Sequence, residues 1–506
     1  MTRKPLLSLV VLAALFFSVA LAQSLPALTP PGAAAGIYTR NLAIKQAFFI
    51  NFQAEWRRLG LSDLFKRMLE EDGELTADDV QLAGEVLNID LVGREGILVV
   101  YPSGDVFAMA RPSADRVDTL IALLNKSMEN PVTRNGWVLE RFDDEEGGMP
   151  GYLGHNGELV LMGSEGAVER FLAGDRGLEL PAEGDLVVWV EGEPLWPLLE
   201  DPALGLPPRV VNSIKTFNDY AFSMTIEADG FHTYSRLGLA PQYDPELAAL
   251  FLTDEAAWPL DDLPRGLSVY SGVFDLAAFG DYVTRYAAEL GEDFVLDLSA
   301  FGNHFALVDA GSESPEEALQ NPTGNLLLIL ETRDPLTAEV TLLTWLQMLA
   351  GFAMPEGAGG FQVNPVDMGG LQGKEVMVGM LGTYYLVTDG DRLYLATSPR
   401  AADLIGGPTL AEDPDYRRIA KTFLPKRATG FSYGNNREAI KQAAQLLPFM
   451  MMQSVEDPET QAMLYEFSSK LAQFLDFVAD HLGANAGYQQ RKDNALEGRG
   501  LLEVAW

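Results

Sequence analysis

The chain has no cysteine among its 506 residues, so no disulfide can cross-link it and no thiolate can ligate a metal or carry a lipid anchor. Histidine is nearly as scarce. His155, His232, His304 and His481 are the full set, and no two stand at H-x-x-x-H spacing, so neither a structural nor a catalytic zinc site is expected. Basic residues are in the minority, with 36 Lys and Arg against 72 Asp and Glu. The resulting charge of −36 repels phosphate backbones and anionic membrane surfaces, so nucleic acid is not an expected partner. Long apolar runs are missing beyond the N-terminus: "LLTWLQMLAGFAM" and "LLPFMMM" are too short to span a bilayer.

What is present is ample core material. Hydrophobic residues make up 47% and aromatic residues 10%, which argues for folded domains rather than disorder, and the length suggests about two to four of them. Arg3 and Lys4 precede an uncharged apolar run over residues 6–22 that ends in Ala20-Leu21-Ala22. A short basic region, an apolar stretch and a small-residue end predict a secretory signal peptide over residues 1–22. Its removal takes two positive charges and no acids, leaving 34 against 72, or −38. The mature chain is expected to be exported, periplasmic or extracellular, with no stable transmembrane anchor.

Residues 23–36 are rich in Pro, Ala and Gly and read as a linker. Beyond them the order of segments repeats. "AFFINFQAEWRRLGLSDLF" (47–65) parallels "GLSVYSGVFDLAAFGDYV" (266–283), and "GDVFAMARPSADRVDTLIALLNK" (104–126) parallels "GNLLLILETRDPLTAEVTLLTWLQ" (324–347). "GYLGHNGELVLMGSEGAVERFL" (151–172) parallels "YYLVTDGDRLYLATSPRAADLI" (384–405), and "DLVVWVEGEPLWPLL" (185–199) parallels "TGFSYGNNREAIKQAAQLL" (429–447). Four units in one order predict a tandem duplication. The first repeat is assigned to 37–240, an acidic connector to 241–265 and the second repeat to 266–506.

Each repeat alternates short strands, mostly joined by hairpin turns, with helices of about ten to fifteen residues. This predicts an α+β class, two tandem copies of an antiparallel sheet with helices packed on one face. Leu386, Leu393 and Leu395 beside one turn, and Leu153, Leu159 and Leu161 beside the other, show the two-residue period of a sheet. The second copy is expected to add a C-terminal helical hairpin, in which Met463, Phe467, Leu471, Phe474, Val478 and Leu482 form one apolar face. Beside that face, Phe449, Met450, Met451 and Met452, with Phe467 and Phe474, could line an adaptable apolar groove.

Chemical constellations were sought in turn. The acids at 71–79 and 142–148 lack the spacing of a calcium loop and read as solvated loops. "GGLQGKE" (369–375) fails the phosphate-loop spacing. "MGSEG" around Ser164 has its first glycine adjacent to the serine, unlike a nucleophile elbow, and Ser398 is followed by Pro399, a helix start. Ser164 and Ser398 therefore read as matching helix N-caps. Asn156-Gly157 and Asp389-Gly390 read as glycine hairpin turns, so Asp389 is assigned to a turn rather than to a metal or a catalytic pair. No catalytic residue, metal or cofactor is expected.

Laid side by side, the strand, "NG" or "DG" turn, strand, serine and helix unit resembles the exported bacterial family called domain of unknown function three-three-five-two. Tyr385, Asp389, Gly390, Leu395, Ser398 and Pro399 carry the resemblance, which covers most of residues 37–506. It implies an envelope or secreted location and duplication, and brings no catalytic residues. The leading expectation is a non-catalytic exported protein that binds a protein or other envelope component, or serves a structural role. A carrier or sensor of an apolar ligand such as a lipid is the alternative, followed by a carboxylate-based hydrolase.

Overall fold

In the computed structural model the described residues are 24–40, 47–64, 67, 95–112, 117–142, 150–289, 291, 294–312, 314, 317, 324–353, 360–452 and 458–505. The expected signal peptide lies outside them. The chain divides into two compact units, one built from residues up to 238 together with 458–477, the other from 239–452 and 478–504. Both combine helices with antiparallel strands, an α+β architecture.

The first unit holds β1 (Ala35–Arg40), β2 (Glu95–Val100), β3 (Val106–Arg111), β4 (Val132–Arg134), β5 (Trp137–Phe142), β6 (Gly151–His155), β7 (Val160–Ser164), β8 (Leu186–Glu191), β9 (Phe217–Glu227) and β10 (Gly230–Leu239). Across the sheet the order is β4-β5-β6-β7-β3-β2-β1-β8-β9-β10. Between β4 and β5 only Asn135 and Gly136 turn the chain, both at positive φ (51° and 82°), the two-residue loop whose twist suits a hairpin. Gly36 on β1 lies against the fully buried Trp189 of β8, where a Cβ would run into the indole ring.

The second unit holds β11 (Ser268–Val273), β12 (Phe301–Asp309), β13 (Leu326–Thr332), β14 (Phe361–Met368), β15 (Leu371–Val378), β16 (Thr383–Asp389), β17 (Arg392–Ala396), β18 (Gly430–Asn435), β19 (Leu482–Lys492) and β20 (Ala495–Val504). Their order is β14-β15-β16-β17-β13-β12-β11-β18-β19-β20.

Four expectations need correction. Helices pack on both faces of each sheet, not one. In the first unit helix Glu165–Leu172 covers Ile97, Phe107 and Leu161, while helix Val117–Ser127 covers Ala110, Val160 and Leu153. Central strands are apolar at successive positions, as at Val160-Leu161 and Leu327-Leu328, so both faces need cover. Leu153 thus faces the layer opposite Leu159 and Leu161.

The expected linker is not a linker. Leu25 is fully buried in a short helix, Leu25–Leu28, its N–H donating to Glu95 Oε1 at 2.7 Å, and Ala35 already begins β1. Likewise the acidic connector carries helix Pro245–Phe251 and then sinks Ala257, Leu260 and Leu263 into the second unit's core. Both segments conceal apolar anchors among Pro and acidic residues. Finally, helix Pro458–His481 is not wholly an addition to the second copy: residues 458–477 pack in the first unit, where Phe474 makes edge-on contacts with Phe52 (4.4 Å) and Trp56 (5.1 Å).

Candidate functional site

Three polar clusters stand out among the described residues. In the first unit Glu95 and Arg111 face each other across β2 and β3, with both side chains about 95% buried and Arg111 Nη1 2.6 Å from Glu95 Oε2. The second carboxylate oxygen of Glu95 accepts from Tyr38 Oη (2.8 Å) and from Leu25 N. Arg111 Nε also reaches Glu158 at 3.2 Å. Burial, then the neighbouring Glu95 charge and its hydrogen bond, push the Tyr38 phenol far above its ordinary pKa. Tyr38 therefore stays protonated and donates; it serves neither as base nor as nucleophile. Above it opens a recess of about 370 Å³ lined by Ser24, Pro26, Tyr38, Arg40, Leu180, Ala182, Glu183 and Gly184.

In the second unit His304 of β12 sits between Glu331 of β13 and the incoming segment 255–258. Its Nδ1 is 2.8 Å from Glu331 Oε2 and its Nε2 2.9 Å from the Ala256 carbonyl. Trp258 stacks on the imidazole, and the Arg392 guanidinium lies 4.6 Å from the Trp258 ring centre.

The third cluster closes the β9–β10 hairpin. Ligand-type atoms of Glu227, Asp229 and His232 all lie within 4.8 Å of one another. His232 Nε2 is already hydrogen-bonded to Asp229 at 2.8 Å, and both carboxylates are exposed, the arrangement of a solvated hydrogen bond across a turn. The hydrogen bond to His232 leads the effects that hold Asp229 below its ordinary pKa. The E-x-D-x-x-H spacing is the signal for this cluster in the sequence, and H-x-x-x-H spacing does not detect it.

The residues singled out from the sequence do structural work. Gly157 (φ 92°) and Gly390 (φ 60°) turn the β6–β7 and β16–β17 hairpins. Asn156 Oδ1 accepts from the Glu158 and Leu159 amides, and Asp389 pairs with Arg392 across its turn. Ser398 Oγ accepts from Ala401 N at 3.1 Å, with Pro399 in the first turn, and so caps its short helix.

Ser164 stands at the corresponding position of its helix but does not cap it. Its hydroxyl donates to Asp105 Oδ1 at 2.6 Å and accepts from Val106 N at 3.2 Å, pinning the hairpin before β3 instead. His155 is no partner for it. It pairs with Val160, while Ser164 pairs with Gly151, about 13 Å along the hairpin. Burial holds the His155 pKa down, and Nε2 is hydrogen-bonded to Asn125. Replacing Ser398 with Ala is expected to cost about 1 kcal/mol for the lost cap. Ser164→Ala should cost more, about 1–3 kcal/mol, because it strands the Val106 amide and Asp105 together. Chemical denaturation of the two variants checks the order.

The expected apolar groove lies largely outside the described residues. Phe474 is core, 4% exposed, Phe467 is half-buried, and the side chains of Phe449, Met450, Met451 and Met452, on helix Asn436–Met452, lie outside the described residues. No described helix is long and apolar enough to cross a membrane.

No family model matches this chain, and no curated protein does. Among solved structures it is similar to crystal form I of TP0453, at 12% identity over 44% of this chain and 80% of that one, with a TM-score of 0.23. Crystal form IV gives 11% identity over 46% and 87%, with a TM-score of 0.22.

Proposed function

We propose that this chain is a tandemly duplicated, non-catalytic exported protein that serves the cell envelope by holding a protein partner. Duplication is supported by strand order: matching β1 to β11 and onward to β10 with β20 gives one order for both units. Register follows residue by residue. Ala35 pairs with Val100 and Val190 as Ser268 pairs with Asp309 and Gly434, and Gly96 pairs with Ala110 as Phe305 pairs with Leu330.

In this reading Thr397, not Ser398, is the counterpart of Ser164. Thr397 Oγ1 accepts from Leu326 N at 2.9 Å, as Ser164 Oγ accepts from Val106 N, and Leu326 and Val106 hold matched places. The turns 156–159 and 389–392 are then equal in length.

The observation that carries the functional reading is what the matched positions do and do not retain. They retain hydroxyl bridges and glycine turns that hold strands. Where the first unit has Glu95 and Arg111, the second has His304 and Glu331, so no reactive set recurs. Partner binding draws on the first unit's stretch 196–220, which leaves Leu198 and Leu204 each 55% exposed, along with Leu206, Ile214, Phe217 and Tyr220. Exposed apolar side chains gathered in one segment are a usual mark of a protein contact. The recess over Tyr38, rimmed by Arg40, Glu183 and Ser24, suits a polar group better than an acyl chain.

Expression of the full chain in a bacterial host tests this reading. The mature protein should begin at Gln23 and leave the cytoplasm, and a photo-crosslinker at Leu204 should yield one discrete adduct in intact cells, while one at Val295 should not. Unprocessed cytoplasmic protein, or identical labelling from both positions, would refute it.

A further inference from the structure

One imidazole joins the segment that leads into β11 to Glu331 of the second unit's sheet, beside the bonds from Ser271 Oγ to the Trp258 carbonyl and from Ala257 N to the Ala428 carbonyl. Both nitrogens of His304 face groups that only accept: the Glu331 carboxylate at 2.8 Å and the Ala256 carbonyl at 2.9 Å. A neutral imidazole has one N–H, so only the doubly protonated ring makes both bonds. We propose that His304 is a pH-operated clasp: as imidazolium it ties Ala256 to Glu331 and tightens residues 255–258 on the sheet, and on losing a proton it gives up the bond to Ala256 and loosens them.

Charged groups reach the ring's surroundings from β13, β17 and the segment itself. β13 supplies Glu331, and Arg333 just beyond it donates to Asn303 Oδ1 at 3.0 Å. β17 supplies Arg392, set against Trp258, and the segment itself brings Glu255, which accepts from Asn303 Nδ2 at 2.8 Å. β11 faces His304 with Val273, which is uncharged. Trp258, stacked on the ring with centroids 5.6 Å apart and planes 14° apart, favours a cation beneath its π face. Deprotonation leaves the remaining proton on Nδ1, where the Glu331 carboxylate holds it, and turns a bare Nε2 lone pair toward the Ala256 carbonyl, replacing attraction with repulsion.

The direction with pH follows from both partners. Burial raises the pKa of Glu331, but hydrogen bonds from the His304 ring and from the His304 and Asn303 amides outweigh it, so the folded value lies below the ordinary one. A carboxylate depressed in this way contributes stability above its unfolded pKa and loses it as pH falls through the folded value. The imidazolium's share is present only while the ring holds both protons. The clasp is therefore closed while the ring carries both protons and open once it is neutral.

The Ala257 amide reports the state directly, because it donates to the Ala428 carbonyl at 2.9 Å from within the clasped segment. Its hydrogen exchange is to be measured on the full chain and referred to the intrinsic rate at each pH. Protection at about pH 5.5 should exceed that at about pH 8 by about tenfold, the value of one charge-assisted hydrogen bond. In His304→Gln the two should be equal. Equal protection in the unsubstituted protein, or the same fall in His304→Gln, would overturn the proposal. Should the variant not fold, the ¹⁵N shifts of the native ring decide: two protonated nitrogens at about pH 5.5 support the clasp, and a neutral ring there refutes it.

Discussion

Replacing Arg111 with Met is expected to destabilise the first unit by about 3–5 kcal/mol, the largest effect of any single polar substitution considered. The guanidinium is not itself strongly stabilising. A buried ion pair roughly balances the cost of drying both charges, and the loss comes from leaving Glu95 charged and unmatched in the interior. Glu95 would keep only Tyr38 Oη and Leu25 N. Adding Glu95→Gln should therefore recover a large part of the loss, because the amide oxygen still accepts from both donors while the charge is gone. Denaturant unfolding, followed by hydrogen exchange at β2 and β3 to assign the transition to this unit, checks both steps. If the single and double variants are equally unstable, the buried charge is not the cause.

The second large effect is expected at Phe474. Its ring is 4% exposed and wedged edge-on against Phe52 and Trp56, so Phe474→Ala should cost about 3–5 kcal/mol by leaving a cavity. The consequence is specific to the chain's organisation. Helix residues 458–477 are distant in sequence from the unit they pack in, and Phe474 is a principal tie to it. Limited proteolysis should cut the variant within 458–477 at least several-fold faster than the parent, with strands β11–β18 unaffected. Cutting first in β11–β18 would show that the helix belongs energetically with the second unit.

These two sites mark where sequence reading succeeds and where it stops. The α+β class follows from local signals: alternation in the strands, glycine turns at Gly157 and Gly390, and a Ser-Pro helix start at Ser398, all set by residues within a few positions of one another. The failures share a different origin. Leu25 and Glu95 are 70 residues apart, Ala256 and His304 are 48 apart, and Phe52 meets Phe474 from the far end of the chain. No local periodicity encodes such pairs, so residues 23–36 read as a linker and 241–265 as a connector although both anchor into cores.

Helices on both sheet faces were half visible. Adjacent apolar residues such as Val160-Leu161 signal a strand buried on both sides, but a strand this short can also be taken for an alternating one. Ser164 shows a subtler limit. Its position before a helix was read correctly and its role was not, because the hydroxyl's partners, Asp105 and Val106, come from another hairpin.

The proposed organisation also accounts for which residues recur between the units. A hydroxyl bridge to the start of β3 or β13, and a glycine at the β6–β7 or β16–β17 turn, are demands of the strand architecture and recur in both units. The polar pairs on β2–β3 and β12–β13 are free to differ once each is satisfied internally, and they do differ, one joining Glu95 to Arg111 and the other Glu331 to His304.

The central claim is that this protein holds rather than transforms. Its most direct test is substrate consumption by the purified mature chain, residues 23–506, offered ester, peptide, glycoside and phosphate substrates and followed by mass spectrometry. The account predicts no consumption above a buffer control with any class. Saturable turnover of one class, abolished by a single substitution that leaves the fold intact, would contradict it.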